Sequence, residues 1–505
     1  MHKKTRRIIF YVSILIFLIA SLFIVAYSWG YRFDIKKKEV VLTGGLYLKT
    51  NVSKPQVYLD GEFLKNATPG LLNSGIFLSN LLPDTHKIEV KKENYFSWEK
   101  NVEIKPKMVT TFFSIILLPQ NPLLTDIYKI ATTTATTSKT VFKEEIIDFK
   151  PLSNNKEVII QTKEIATSTN AILKIHNYIA KSSDSNSSDS NSNDIEIYRQ
   201  KLAKNEKFNL IPNLEISDSD GNEIIFDLTK NKIRTFYLWQ RIKPDKPIDL
   251  SAEIINTFKL KNPIQKIIFY PNANNKFIVL SGKDLYFIDF DKNEAVKKVT
   301  NVYDFFNKDY SLFWIDYNGA VFGYNLILDT STPLGIIELE KKIEEGEINK
   351  ATISHSNQLS ILFNNNILYL FKSGENLEKM ENIINFSFSP DSKKLAYIND
   401  KNELRVKFLT DINSGDILRK KGDDILITKV KSGNEKIEWY NDSEHLIIQN
   451  GQKIYFAEID DRDKINIFEE NLDYDEFLLT NNKNGTIWGK RSDFLQKIDL
   501  IYEKI

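Results

Sequence analysis

Cysteine is absent from all 505 residues. Disulfide frameworks, thiol nucleophiles and thiolate metal sites are therefore excluded together. The absence fixes no compartment, because a cysteine-free chain folds on either side of a membrane. Glycine (19) and proline (14) are scarce, below the roughly 7% and 5% of average chains, so turns must lean on Asn and Asp. An excess of charge of one sign is also missing. Lys+Arg total 68 against 67 Asp+Glu, a formal net charge of +1, and basic and acidic residues are interleaved throughout. A nucleic-acid binder needs a basic face, so that class is excluded. What remains is 42% hydrophobic and 27% charged, the composition of a globular chain, with a prior of roughly three domains for this length.

One long apolar run is present. Residues 8–26, IIFYVSILIFLIASLFIVA, carry no charge, and as a helix they would span about 28 Å, close to the hydrocarbon thickness of a bilayer. Lys3, Lys4, Arg6 and Arg7 precede the run, and Tyr27, Trp29 and Tyr31 follow it as interfacial aromatics. We read 1–7 as a cytoplasmic tail and 8–28 as a transmembrane signal anchor, with the bulk of the chain outside the cytoplasmic membrane. A cleaved signal peptide is the rival reading, although the run exceeds the usual signal core of 7–15 residues. The apolar stretch Phe112–Leu118 is too short to span and reads as a buried strand ending at Pro119.

Residues 41–119 form a series of short β-type runs. Gln56-Val57-Tyr58-Leu59 and Glu62-Phe63-Leu64 flank Asp60-Gly61, a two-residue hairpin signal because both central positions need positive φ. Thr68-Pro69 and Pro83-Asp84 are further turns, His86–Val90 alternates as a half-buried strand, and Asn94 before Tyr95 suits a left-handed backbone. These residues resemble the PEGA domain, a small β-sandwich-like module of bacterial and archaeal surface proteins. The match runs through Ser53 and Pro55, Val57 to Gly61, Thr68-Pro69, Asp84-Thr85-His86 and Asn94-Tyr95. Asp84 and Asn94 stand where the family has glycine, and the four letters of the name are absent. The resemblance implies an extracytoplasmic scaffold module without catalytic residues.

A Thr-rich tract, ATTTATTSKT at 131–140, lacks any core-forming pattern, and 120–140 reads as a linker. From 141 to 505 short strands dominate, interrupted by the Ser/Asp/Asn tract 181–194, read as a disordered insertion. Phe386-Ser-Phe-Ser-Pro390-Asp391-Ser-Lys-Lys-Leu-Ala-Tyr-Ile398 is a strand, a turn and a second strand. Weaker echoes begin at Phe149, Ile268, Tyr310, Ile353, Glu438 and Asn482. The spacing brackets that of four-stranded propeller blades, and the Phe386–Ile398 unit resembles the TolB-type, WD-like repeat. The expected fold is all-β: one N-terminal helix, a PEGA-like β-sandwich and a β-propeller of about seven blades.

Chemistry is sparse. There is no GxxxxGK[ST], HExxH or GxSxG, which removes the main support for P-loop, zincin and α/β-hydrolase readings. The histidines His2, His86, His176, His355 and His445 are scattered, read as isolated surface or turn residues with no local two-ligand spacing. Asp218-Ser-Asp-Gly221 resembles part of a calcium loop, but Ile216 stands where an oxygen ligand is needed, so a hairpin turn is the better reading. Asn484–Trp488 resembles the end of a sialidase Asp-box, but Lys483 replaces the required Asp, leaving Trp488 as a blade-core residue. The residues singled out are therefore turn positions: Asp60, Gly61, Thr68, Pro69, Asn94, Tyr95, Pro390 and Asp391. No catalytic, cofactor or metal residue is expected. The expected function is a non-enzymatic, membrane-anchored envelope scaffold that binds an envelope protein or cell-wall polysaccharide. The alternative is an anchored propeller hydrolase or lyase acting on glycans or peptides.

Overall fold

The computed structural model describes residues 3–499 apart from 36, 65–74, 131–142, 155, 166–169, 178–193, 202–213, 219, 231–232, 339–342, 345, 415–416, 432–434, 451–452, 471–473, 480–485 and 492. Thr68, Pro69, the Thr-rich tract 131–140 and almost all of the insertion 181–194 thus lie outside the described residues.

The apolar run lies within one helix, α1 (Lys3–Ser28), whose side chains are almost all exposed. It ends where Trp29 N–H donates to Val25 O and Gly30 N–H to Tyr27 O, with Gly30 at φ +87°, a left-handed stop that glycine adopts without strain. A two-stranded hairpin, Tyr31–Asp34 with Glu39–Leu42, follows directly.

The module behind it pairs two sheets. Gly44–Thr50 lies between Gly75–Leu81 and the parallel Val109–Ile115, while Gln56–Leu59 lies between Glu62–Phe63 and Thr85–Lys91, which pairs on to Trp98–Glu103. Leu46, Leu48, Val57, Ile88, Val90 and Trp98 fill the space between them. Alternation puts Ile88 and Val90 inside and Lys87 and Glu89 outside, as a half-buried strand requires.

Beyond the module, the described residues form eight four-stranded antiparallel sheets that follow one another as the blades of a β-propeller. Blade I spans 143–201, II 215–249, III 264–299, IV 302–336, V 348–380, VI 383–429 and VII 437–470. Blade VIII combines Glu476–Leu479, Thr486–Lys490 and Phe494–Asp499 with a fourth strand, Leu123–Lys129, contributed from before blade I. Leu123 pairs with Asp499 and Lys129 with Phe494, so the two ends of the ring close on each other. This corrects the reading of 120–140 as linker. Its first part is the outer strand of blade VIII, where Ile127 and Tyr128 pack with Phe149, Trp488 and Leu495. Their burial outweighs the weak apolar pattern of the segment.

The ring has one blade more than the repeat pattern suggests, and the extra one is blade II. Its first strand is only Glu215-Ile216, too short to register as a repeat. The Asp218–Asn222 turn that follows serves as the first turn of that blade, with Asp218 Oδ1 accepting from Asp220 N–H and Asn222 N–H. A short helix, α2 (Leu250–Phe258), connects blades II and III. Asp249 caps it by accepting from Ala252 N–H at 2.8 Å.

Candidate functional site

The turn residues come first. Asp60 and Gly61 sit at φ +52° and +84°, and the flanking strands pair Leu59 with Glu62, a two-residue hairpin of the expected kind. Asp60 does more than turn: Oδ1 accepts from Lys87 N–H at 2.8 Å, and Oδ2 lies 2.7 Å from His86 Nδ1. Asn94 is left-handed at φ +64°, and Tyr95 bridges to Pro119.

Pro390 and Asp391 form the turn of blade VI, and that turn is tied to the next blade. Ser389 Oγ donates to Asp391 Oδ1 at 2.5 Å and accepts from Lys394 N–H at 2.9 Å. Asp391 N–H donates to Ser443 Oγ of blade VII at 3.1 Å, and one blade earlier Ser356 N–H donates to Ser392 Oγ at the same distance. Ser392 and Ser443 occupy equivalent left-handed positions, φ +58° and +60°. The repeat is therefore an inter-blade clasp. Lys394 completes it, its Nζ reaching Ser443 O at 2.9 Å and Glu444 Oε1 at 2.7 Å.

Next to this clasp the module meets blade VII. Strand Trp98–Glu103 lies against the loop 460–466 that joins the last two strands of the blade. Lys100 has no exposed side-chain surface; its Nζ stands 2.8 Å from Glu458 Oε1 and donates to the carbonyls of Asp460 (2.5 Å) and Lys464 (3.1 Å). Glu458 is satisfied on every side, accepting also from Trp98 Nε1–H at 2.8 Å and from Asn466 N–H at 2.9 Å. Arg462 lies over the Phe112 ring at 3.9 Å and donates to Thr111 O at 2.9 Å. Asp460, 2.6 Å from Arg462, is held below the usual carboxylate range. Burial opposes this, but hydrogen bonds from Arg462 and the charge of Lys100 outweigh it.

A cavity of about 120 Å³ opens along this seam, walled by Trp98, Phe112, Ile417, Arg419, Lys394 and Glu444. Ser114, His445 and Asp442 meet at its edge in an order that defeats nucleophilic catalysis. Ser114 Oγ donates to Asp442 Oδ2 at 2.5 Å, and His445 Nδ1 lies 2.7 Å from the same oxygen. A catalytic triad needs the imidazole between hydroxyl and carboxylate; here the carboxylate is between. Burial would lower the His445 pKa, but the Asp442 charge outweighs it and holds the ring protonated above its ordinary range. Asp442 is correspondingly low, since His445 and Ser114 outweigh its burial. Both Ser114 and His445 thus meet one Asp442 oxygen, with the carboxylate and not the imidazole at the centre.

The axial channel is the second polar region. The first strands of blades I, III, IV, V and VI each carry a register shift at one step: Ile146/Asp148, Ile264/Lys266, Val302/Asp304, Ile348/Lys350 and Ile383/Asn385. These bulges aim a polar residue at the neighbouring blade. Lys266 Nζ reaches Asp304 Oδ1 at 2.9 Å and Lys350 Nζ reaches Asn385 Oδ1 at 2.9 Å. The pattern is present in the sequence as an aliphatic residue, any residue, then Asp, Asn or Lys, and reading for turns alone misses it. Glu438 is exposed to water, yet burial among surrounding protein atoms pushes its carboxyl up and Lys350 pulls against this from two blades away. Burial likewise lowers Lys350 and Lys150 and raises Glu215.

Two histidines depart from the surface reading. His176 and His445 are 1% and 3% exposed and are tied to Asp194 at 2.6 Å and Asp442 at 2.7 Å. A buried imidazole needs a hydrogen-bond partner, and the carboxylates supply it in separate blades. Among the described residues no three His, Asp or Glu side chains converge as a metal site. Trp488 is 2% exposed and packs against Phe149, as a blade-core residue should.

No family model matches this chain, and no curated protein does. Solved structures similar to it include the C-terminal WD40 domain of Sif2, at 12% identity, covering 76% of this chain and 99% of that one, with a TM-score of 0.41. Kluyveromyces lactis Hsv2 is similar at 14% identity, 65% and 97% coverage and a TM-score of 0.34. The Cps50 (Swd1) β-propeller domain of Myceliophthora thermophila is similar at 12% identity, 66% and 98% coverage and a TM-score of 0.32.

Proposed function

We propose that this chain is a membrane-anchored, non-enzymatic binding platform, with the bulk of the chain extracytoplasmic and the propeller offering its surface to an envelope protein or cell-wall polysaccharide. In this reading the PEGA-like module is a rigid spacer between anchor and ring. The observation that carries it is the seam. Lys100, Glu458, Asp460 and Arg462 are consumed by one another, which joins module and propeller into one body and leaves their charges no free valence for substrate. The Ser114–Asp442–His445 order supports the same reading. Repeat propellers host scaffolds and enzymes alike, so these side chains carry the reading and the fold does not.

The test has two arms. External protease on cells with opened outer layers should digest the propeller and leave a membrane-bound stub; full protection would overturn the orientation. Residues 41–505, purified and treated with a chelator, should turn over no glycosidase, esterase or peptidase substrate. Turnover abolished by Glu438→Gln, the water-accessible channel carboxylate, would establish the hydrolase or lyase alternative in its place.

A further inference from the structure

The hairpin after α1 is built inside out. Its cross-strand pairs are Tyr31 with Leu42, Arg32 with Val41, Phe33 with Val40 and Asp34 with Glu39. Alternation therefore puts Tyr31, Phe33, Val40 and Leu42 on one face and Arg32, Asp34, Glu39 and Val41 on the other. A hairpin on a water-soluble body turns its apolar face inward. Here Phe33 is 60% exposed, Val40 64% and Ile35, at the turn, 82%, while Asp34 is 3% exposed. The charged face is the one that makes the internal contacts. Asp34 Oδ1 accepts from Lys37 N–H, and Lys37 Nζ donates to Pro83 O of the module at 3.1 Å.

Arg32 fixes where this apolar face lies. Its guanidinium stacks on the Tyr27 ring at 3.4 Å, donates to Tyr27 O at 2.8 Å and reaches Asn80 Oδ1 of the module at 2.9 Å. Thr43 N–H and Oγ1–H both donate to Gly30 O at 2.9 Å. The base of the hairpin is thus tied to the last turn of α1, and its turn to the module. Trp29, the residue after α1, is 72% exposed. The hairpin follows directly on a helix that is long and apolar enough to cross a membrane and has none of its apolar window buried.

We propose that this hairpin is a lipid-contacting foot: Phe33, Ile35 and Val40 enter the headgroup–acyl boundary of the leaflet from which α1 emerges, with Lys38 among the headgroups. The inference rests on reading α1 as a membrane span. It adds that the chain holds the membrane at two joined points, a span and a foot, with Arg32 and Lys37 transmitting that attachment to the module. Aromatic and aliphatic side chains beside cations are what the membrane interface accommodates.

Since the chain has no cysteine, single-cysteine variants report one position each. The full chain, carrying a nitroxide at Phe17→Cys, Val40→Cys or Leu418→Cys in turn, is reconstituted into phosphatidylcholine/phosphatidylglycerol vesicles. Collision rates with oxygen and with a water-soluble nickel chelate are then compared. Val40 and Leu418 are both exposed, so neither substitution removes a buried contact. The oxygen-to-nickel ratio at Val40 is expected several-fold above that at Leu418 and below that at Phe17. A Val40 label as open to nickel as Leu418, with Phe17 still in the bilayer, overturns the foot and leaves the span standing. A Val40 label shielded from both reagents means a second protein copy covers the face, and also overturns it. A Phe17 label open to nickel overturns the span, and the foot with it.

Discussion

Lys100 of the module and Glu458 of blade VII stand 2.8 Å apart, with side-chain exposures of 0% and 6%. Breaking such a pair from one side leaves a buried charge uncompensated, which costs about 3–5 kcal/mol. Lys100→Met is therefore expected to lower stability by that order in urea unfolding. Adding Glu458→Gln should recover part of the loss, because the orphaned charge is removed. Trp98, bonded to Glu458, gives a local fluorescence signal for the same event. Equal, additive losses in the double-mutant cycle would show the two residues to be uncoupled.

Ring closure makes the N-terminal boundary of the propeller critical. A fragment of residues 120–505 retains Leu123–Lys129, whereas one of residues 141–505 lacks it and exposes the edge of Phe494–Asp499. The first should give a β-dominated circular dichroism spectrum and one cooperative transition. The second should be less stable or aggregate through the open edge. Indistinguishable melting of the two would refute the closing role.

Glu470 ends the last strand of blade VII at 2% exposure, and its Oε1 has no hydrogen-bond partner among the described residues. Burial pushes its pKa up to about 7. For a carboxyl raised on folding, the unfolded state ionises first. Its effect is therefore nil below the ordinary value near 4.5, and stability is lost as pH rises from there to about 7. The full penalty, at most about 3 kcal/mol, persists above that. The stability of Glu470→Gln relative to the unaltered chain should accordingly increase between pH 4 and pH 8. A difference that does not change with pH would contradict the assignment.

The clasp between blades VI and VII can be weighed at one atom. Ser443→Ala removes the acceptor of Asp391 N–H and should cost about 1 kcal/mol, the net worth of such a bond. Ser392→Ala should cost a similar amount between blades V and VI. Chemical denaturation at fixed pH reads both. Losses near zero would mean that the turns are held by their own geometry alone.

The sequence showed most of the fold where local chemistry set the structure. Asp60-Gly61 and Asn94 declare their turns because few residues tolerate positive φ, and Ser389–Lys394 declares a blade because its turn needs Ser and Asp at fixed places. Blade II stayed hidden because Glu215-Ile216 is too short to show alternation. Leu123–Lys129 stayed hidden because its partner is at the opposite end of the chain, and no local period encodes such a pairing. The seam was equally unreadable. Nothing near Lys100 announces Glu458, and a lysine in an alternating strand looks like a solvated one until the second body covers it.

Closure by an early strand also sets an order in time. Leu123–Lys129 leaves the ribosome roughly 360 residues before its partner Phe494–Asp499, which at about 5–20 residues per second is a wait of roughly 20 to 70 seconds. Throughout that interval the strand lacks the partner strand of its sheet, and blade VIII cannot exist. The ring therefore cannot close before Phe494–Asp499 has been made.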